Sequence, residues 1–217
     1  SIVDPYMGKN GWEFHERDGG TSDHLGNADY LWQVYVAAKP DYSGRVTVPV
    51  LWDKKTGTVV SNESAEIIRM FNSAFNAIAK PAPDYYPVAL RGEIDDINEV
   101  VYHKVNNGVY KAGFATTQDA YKEHVTELFD ALDMLDKRLR HNRYLTGDSV
   151  TEADWRLFTT LVRFDPVYVG HFKCNIRRIA DYPALSGYLR ELYQMPGIAS
   201  TVNMDHIKNP VSYTHLR

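Results

Sequence analysis

Between Tyr121 and Leu139 the apolar residues step by four and three without a break: Tyr121, Val125, Leu128, Leu132, Leu135, Leu139. Only a 3.6-residue period places all six on one side, so this stretch predicts a long amphipathic helix packed along another helix. The rest of the region 88–200 reads the same way. Ile94, Ile97, Val101 and Val105 mark a second helix face. Thr151-Glu152-Ala153-Asp154 has the form of a capping box, ahead of Leu157, Phe158, Leu161 and Val162. Asp181 is placed to cap a helix whose buried stripe is Leu185, Tyr188, Leu189 and Leu192. The chain therefore commits more than half its length to a helical bundle.

The first 80 residues obey a different period. Residues 28–37 are helical in pattern, with Leu31, Val34 and Tyr35 on one side. Arg45 to Asp53 is rich in β-branched residues, Lys54-Lys55-Thr56-Gly57 carries turn chemistry, and Thr58 to Ser61 reads as a second strand, which together predict a β-hairpin. Pro49 cannot donate to a ladder, so it belongs at a strand start or edge, with a cis Val48–Pro49 bond as one solution. A helix opens after Ser61-Asn62-Glu63-Ser64, a run of N-cap residues, and carries Ile67, Ile68, Phe71 and Phe75. Ser1-Ile2-Val3-Asp4-Pro5 begins without Met, and Ile2-Val3 reads as the last part of a strand, so we expect a start inside a domain. The predicted organisation is an α/β domain over 1–80, a Pro-rich linker over 81–87, a helical domain over 88–208 and an atypical tail over 209–217.

Composition narrows the function. The net charge is −4 and no Lys/Arg run appears, so nothing points to nucleic acid. No apolar stretch is long enough to span a bilayer, and no leader pattern opens the sequence. The single cysteine, Cys174, forms no internal disulfide and no four-cysteine zinc site, which fits a cytoplasmic protein without a metal. Fifteen Tyr and four Trp suit a site for flat, partly polar ligands as well as they suit a Tyr-rich core.

Certain runs are long enough to resemble a known family. Arg45-Val46-Thr47-Val48-Pro49-Val50-Leu51-Trp52-Asp53, followed by Ser61-Asn62-Glu63-Ser64-Ala65-Glu66-Ile67-Ile68-Arg69, resembles the glutathione transferases. Together with Gly11-Trp12, Asn107-Gly108-Val109-Tyr110-Lys111-Ala112-Gly113-Phe114-Ala115, Arg163-Phe164-Asp165-Pro166-Val167-Tyr168 and Met195-Pro196-Gly197-Ile198-Ala199, it is similar to the Xi class, the glutathionyl-hydroquinone reductases. The likeness covers residues 2–208. It implies a fold of class α/β plus all-α: a truncated thioredoxin-like domain followed by a glutathione-transferase C-terminal helical bundle. The family carries a Cys-Pro-Trp-Ala-His-Arg segment just upstream of the position matching Ile2, and these 217 residues do not include it. It also carries a further pocket tyrosine where this sequence has Val211, in a tail, Pro210 to Arg217, that departs from the pattern.

The resemblance implies a glutathione site of Trp12, Arg45, Val46, Thr47, Val48, Glu63 and Ser64. The backbone at Val48 would pair with the cysteinyl part of glutathione as an added strand. Ser64 at a helix N-terminus would take the γ-glutamyl carboxylate, Glu63 the ammonium, Arg45 would be a charge partner and Trp12 a wall. Tyr110 would move a proton on the quinol, and Tyr168 would donate to the catalytic sulfur. A lone Glu-Ser is more often an ordinary cap, and any one tyrosine more often core; the motifs weigh against those readings. Cys174 lies far along the helical half, and we read it as a buried, neutral thiol rather than the nucleophile.

The implied reaction is glutathione-dependent reduction of glutathionyl-hydroquinones, with glutathione as co-substrate, quinone-type small molecules as partners, a homodimer as the assembly and no nucleic-acid or membrane partner. Without its upstream cysteine this stretch would be inactive. The alternatives are a conjugating glutathione transferase and a non-catalytic transferase-like binding module; a Cys-Pro pair ahead of Ser1 separates them from the reductase. The physiological quinone, the pathway and the dimer geometry do not follow from the sequence.

Overall fold

In a computed structural model, residues 1–17 and 19–209 are described; the tail from Pro210, Val211 included, lies outside the described residues. The chain divides into two compact units. One contains Ser1–Ala82 with the short helix Met204–Lys208, and the other is Pro83–Val202.

The first unit is a small α/β body. Helix α1 (Leu31–Ala38) buries Leu31, Val34 and Tyr35 on one side, the spacing the sequence predicts. These residues and Phe14 form a core against which Val3, Trp12, Tyr42, Val46, Val50 and Trp52 pack. Strands β1 (Leu51–Asp53) and β2 (Thr58–Ser61) pair antiparallel, with Trp52 opposite Val59 and Asp53 opposite Thr58. Gly57 turns the hairpin at φ +66°, a conformation that favours glycine. The Asp53 carboxylate accepts from the Thr56 hydroxyl and the Lys55 amide, closing the same turn. Helix α2 (Ser64–Ser73) follows β2.

Two strand expectations fail here. β1 begins at Leu51, not Arg45. Pro49 has no N–H, its bond to Val48 is cis as anticipated, and the Thr47 backbone is bonded to the Tyr35 hydroxyl instead of to a strand. Ile2-Val3 is not a strand either. The chain there is held by loop contacts: Asp4 N–H donates to the Glu13 carbonyl and Thr21 N–H to that of Ile2. Buried Asp4 accepts from the Tyr6 amide and Arg17, and buried Asp23 from the amides of Leu25, Gly26 and Ala28.

The second unit is helical. Helix α3 (Arg91–Val100) runs into a π-helical segment, Val101–Asn106, and then into α4 (Gly108–Gly113). The long helix α5 (Gln118–Leu139) is capped by the Thr117 hydroxyl. Its Val125, Leu128, Leu132 and Leu135 are buried, while Tyr121 and Leu139 sit half-buried at the ends of the stripe. Helix α6 (Glu152–Arg163) carries the predicted capping box: Asp154 accepts from the Thr151 amide at 2.8 Å. The same buried carboxylate accepts from the Leu145 amide and the Tyr188 hydroxyl, so one side chain ties a loop and two helices. A second π-helical segment, Phe164–Tyr168, leads into the short α7 (Val169–His171). Ile94, Val101, Val105, Leu128, Leu132, Leu135, Leu157 and Phe164 are fully buried in this unit. Each aliphatic side chain so buried contributes about 1.5–3 kcal/mol.

Helix α8 (Leu185–Gln194) corrects another expectation. Asp181 does not cap it; that carboxylate pairs with Arg178 in the preceding turn. The cap comes from Asp136 on α5, which accepts from the amides of Ala184 (2.8 Å) and Leu185 (3.0 Å). The stripe Leu185, Tyr188 and Leu192 is buried as expected, with Leu189 half-buried.

Candidate functional site

The sequence-predicted residues fall into two sets, one in each unit. In the α/β unit the organising residue is Tyr35. Its hydroxyl donates to the Thr47 carbonyl at 2.7 Å and receives the Thr47 amide at 3.4 Å. Asn62 adds two bonds from one nitrogen, to the Tyr35 hydroxyl and to the Thr47 hydroxyl, each 3.2 Å. These four contacts tie the segment Arg45 to Val48 to the residue just before Glu63. Val48 is 45% exposed, beside the cis bond to Pro49. Arg45 is exposed, its carbonyl accepting from the Tyr42 hydroxyl at 2.6 Å. Trp12 and Val46 both pack on the core that contains Tyr35.

The start of α2 is open as well. Glu63 occupies the N-cap position and no side chain caps the helix. The nearby capping candidates are otherwise engaged. Ser61 accepts from the Glu63 amide and donates to Glu66, and Asn62 points back to Thr47. Glu63 and Ser64 are exposed there. A helix end with uncapped N–H groups and the positive end of the dipole is a site for a carboxylate.

In the helical unit the structure brings Tyr110 and Tyr168 together across 58 residues, their hydroxyl oxygens 3.3 Å apart. Tyr110 follows the π-helical segment Val101–Asn106 by four residues and Tyr168 ends the segment Phe164–Tyr168, two irregularities that the sequence periodicity does not predict; Asn107-Gly108 and Pro166 are the local signals. Tyr110 is 42% exposed and Tyr168 4%. Burial, then the adjacent Tyr110 hydroxyl, pushes Tyr168 well above the ordinary phenol range, so it holds its proton. The pair is thus one open phenol backed by one buried, protonated phenol. Phe172 lies against both rings, at 5.3 Å from each centroid, and Phe114 packs beside Tyr110.

Cys174 is fully buried, its thiol directed at the Phe172 carbonyl, and burial pushes it up to about 12. It is neutral at physiological pH and is no nucleophile. A 520 Å³ groove lined by Arg143, Arg190 and Glu191 also lies in this unit, and neither Tyr110 nor Tyr168 borders it. Among the described residues no group of three or more His, Cys, Asp and Glu is placed to hold a metal, and no helix is long and apolar enough to cross a membrane.

Sequence reasoning missed Tyr35 and Asn62. The pattern places Tyr35 on the buried side of α1, although a buried phenol needs a partner, and Asn62 among possible N-caps.

Comparison with known proteins bears on both units. The glutathione S-transferase N-terminal domain matches residues 10–74 and the C-terminal domain residues 118–191. The chain is 60% identical, over 99% of its length, to the glutathionyl-hydroquinone reductase YqjG of Escherichia coli, and spans 66% of that protein. It is 49% identical to a glutathione S-transferase omega-like 2 of Schizosaccharomyces pombe, covering 99% of this chain and 71% of the relative. The glutathione-bound structure of YqjG superposes with TM-score 0.93, covering 95% of this chain and 68% of that one. Glutathione transferase Xi 1 of Trametes versicolor gives TM-score 0.95 at 53% identity, covering 100% and 78%.

Proposed function

This chain belongs to the glutathione transferase family, and on that premise we propose that its protein reduces glutathionyl-hydroquinones to hydroquinones with glutathione as co-substrate. The observation that carries the reading is the Tyr110–Tyr168 hydroxyl pair at 3.3 Å, one member open and one held protonated by burial. A quinol losing its sulfur substituent needs a proton at the ring carbon, and an open phenol backed by a second donor supplies one.

The chemistry balances with a cysteine thiolate that lies outside these residues, since Cys174 is buried and neutral. That thiolate attacks the glutathionyl sulfur. The carbon–sulfur bond breaks, its electron pair goes to the ring carbon, and Tyr110 delivers the proton there. Tyr168, whose proton stays in place and which lies 3.3 Å from the Tyr110 oxygen, donates to that oxygen as charge develops on it, in place of the donation to the catalytic sulfur that the resemblance implies. The resulting mixed disulfide is attacked by a second glutathione thiolate, which releases oxidised glutathione and restores the enzyme thiolate. The ring is reduced by two electrons, and one glutathionyl thioether and one glutathione thiol become one disulfide, the thiol's proton replacing the one that Tyr110 gives up.

Glutathione, in this reading, lies on the α/β unit. Its cysteinyl backbone pairs with Val48, with Val46 and Thr47 alongside. Its γ-glutamyl carboxylate meets Ser64 and the α2 N-terminus, Glu63 takes the ammonium, Arg45 neutralises charge and Trp12 forms a wall. A cytoplasmic homodimer completes the proposal, to be checked by fractionation and light scattering.

The test supplies full-length protein with a glutathionyl-hydroquinone and glutathione. Equal amounts of hydroquinone and oxidised glutathione support the reading. Conjugates formed from free quinones, with no oxidised glutathione, overturn it in favour of a conjugating transferase.

A further inference from the structure

We infer that Phe172 and Gly113 are positioning residues of the Tyr110–Tyr168 pair: Phe172 is a wedge that holds the two phenols at hydrogen-bond distance, and Gly113 is the gap that admits it. The inference rests on the catalytic reading of that pair.

Four observations carry it. Phe172 is 1% exposed and stacks on Tyr168 at 5.3 Å with 21° between the rings. It meets Tyr110 edge-on at 5.3 Å and 64°, so one ring touches both members of the pair in fixed geometry. A Cβ built on Gly113 would lie 2.3 Å from the Phe172 Cγ and 2.8 Å from its Cβ, so only glycine fits opposite the ring. The turn carrying Phe172 is itself pinned. Cys174 N–H donates to the Tyr168 carbonyl at 3.0 Å, and the Tyr121 hydroxyl on α5 donates to the Lys173 carbonyl at 2.7 Å. Lys173 there takes φ +56°, a conformation that non-glycine residues adopt only when their surroundings hold them in it. Phe172 is thus fixed from below by backbone and α5, and it fixes the phenols above. Nothing in the proton-transfer chemistry requires a phenylalanine or a glycine; the spacing of the two oxygens does.

The test pairs Phe172→Leu with Phe129→Leu, a control that removes a buried ring of the same unit touching neither tyrosine among its ring contacts. In protein carrying ¹³Cζ-tyrosine, Tyr110→Phe should shift the Tyr168 resonance through the lost hydrogen bond. That response should vanish in the Phe172→Leu background and persist in Phe129→Leu. In the full-length enzyme Phe172→Leu should lower kcat about 10- to 100-fold, the range for a misplaced catalytic group, with KM for glutathione within about twofold. Gly113→Ala, which presses one methyl against the ring, should repeat both effects and serves if Phe172→Leu does not fold. An unchanged Tyr168 response in Phe172→Leu, or equal loss of kcat in Phe129→Leu, overturns the inference. A lost response with full kcat upholds the wedge and overturns the catalytic reading of the pair instead.

Discussion

The two units build their candidate sites from different materials. In the α/β unit the groups proposed to meet a ligand are main chain: the backbone of exposed Val48 and the N–H groups at the start of α2, which has no side-chain cap. Side chains such as Tyr35 and Asn62 stand behind and hold that backbone. In the helical unit the offered groups are side-chain hydroxyls, and the backbone is spent inside helices. The cores differ in parallel. Four buried residues anchor the α/β cluster, and Phe71, Val60 and Ile78 remain exposed nearby in sequence, whereas the helical unit buries continuous stripes. Deleting one side chain should therefore abolish chemistry in one unit and only loosen binding in the other.

The largest expected effect is at Tyr110. Tyr110→Phe keeps the ring contacts with Phe114 and Phe172 and removes only the hydroxyl. The reductive rate of the full-length enzyme should fall about 10²–10⁴-fold, the range for losing a general acid, while glutathione affinity is unchanged. Full rate at every pH would make Tyr110 a packing residue and erase the contrast between the units.

Next comes Asp154. It is fully buried and accepts from Leu145, Thr151 and Tyr188. Asp154→Ala leaves those donors without a partner, and about 3–5 kcal/mol should be lost. Native-state hydrogen exchange should locate the loss in residues 83–202 and leave residues 1–82 as they were. Equal loss across both would show that the units do not open separately.

Asn62→Ala probes the α/β unit. It removes both bonds to Tyr35 and Thr47, and about 1–2 kcal/mol of local stability should go with them. Because the ligand groups there are backbone, glutathione binding should weaken severalfold rather than vanish. Unchanged affinity, measured by calorimetry, would mean that the Thr47–Val48 segment needs no such support.

The legibility of the sequence follows the same division. Where one local period decides burial, as along α5, or where cap and partner are three residues apart, as in Thr151–Asp154, the sequence predicts the structure closely. Where a partner is distant, it does not. Nothing around Asp181 signals that α8 is capped by Asp136, 48 residues before Ala184. Nothing around Thr47 signals that Tyr35 takes its backbone out of the strand. The site residues are legible through resemblance, whereas the groups that hold them, Tyr35, Asn62, Gly113 and Phe172, act through contacts distant in sequence.

Asp136 supplies the smallest effect and the finest test of how the helical unit is tied. Burial works against its charge, yet the amides of Leu185 and Ala184 and the Arg140 guanidinium hold its carboxyl below the ordinary value of 3.8. A carboxylate depressed in the folded state stabilises above its unfolded pKa, and that stabilisation is lost as pH falls through the folded pKa. Between neutral pH and about pH 4 the contribution should be constant, and it should disappear in more acidic solution. Asp136→Asn keeps an acceptor for the two amides but removes the charge. It should cost about 1 kcal/mol or less near neutral pH, as for other cap substitutions, and flatten the acid limb of the denaturation profile. If Asp136→Asn and wild type lose stability in parallel below pH 4, other carboxylates set the acid limit, and the long-range cap of α8 works by hydrogen bonding alone.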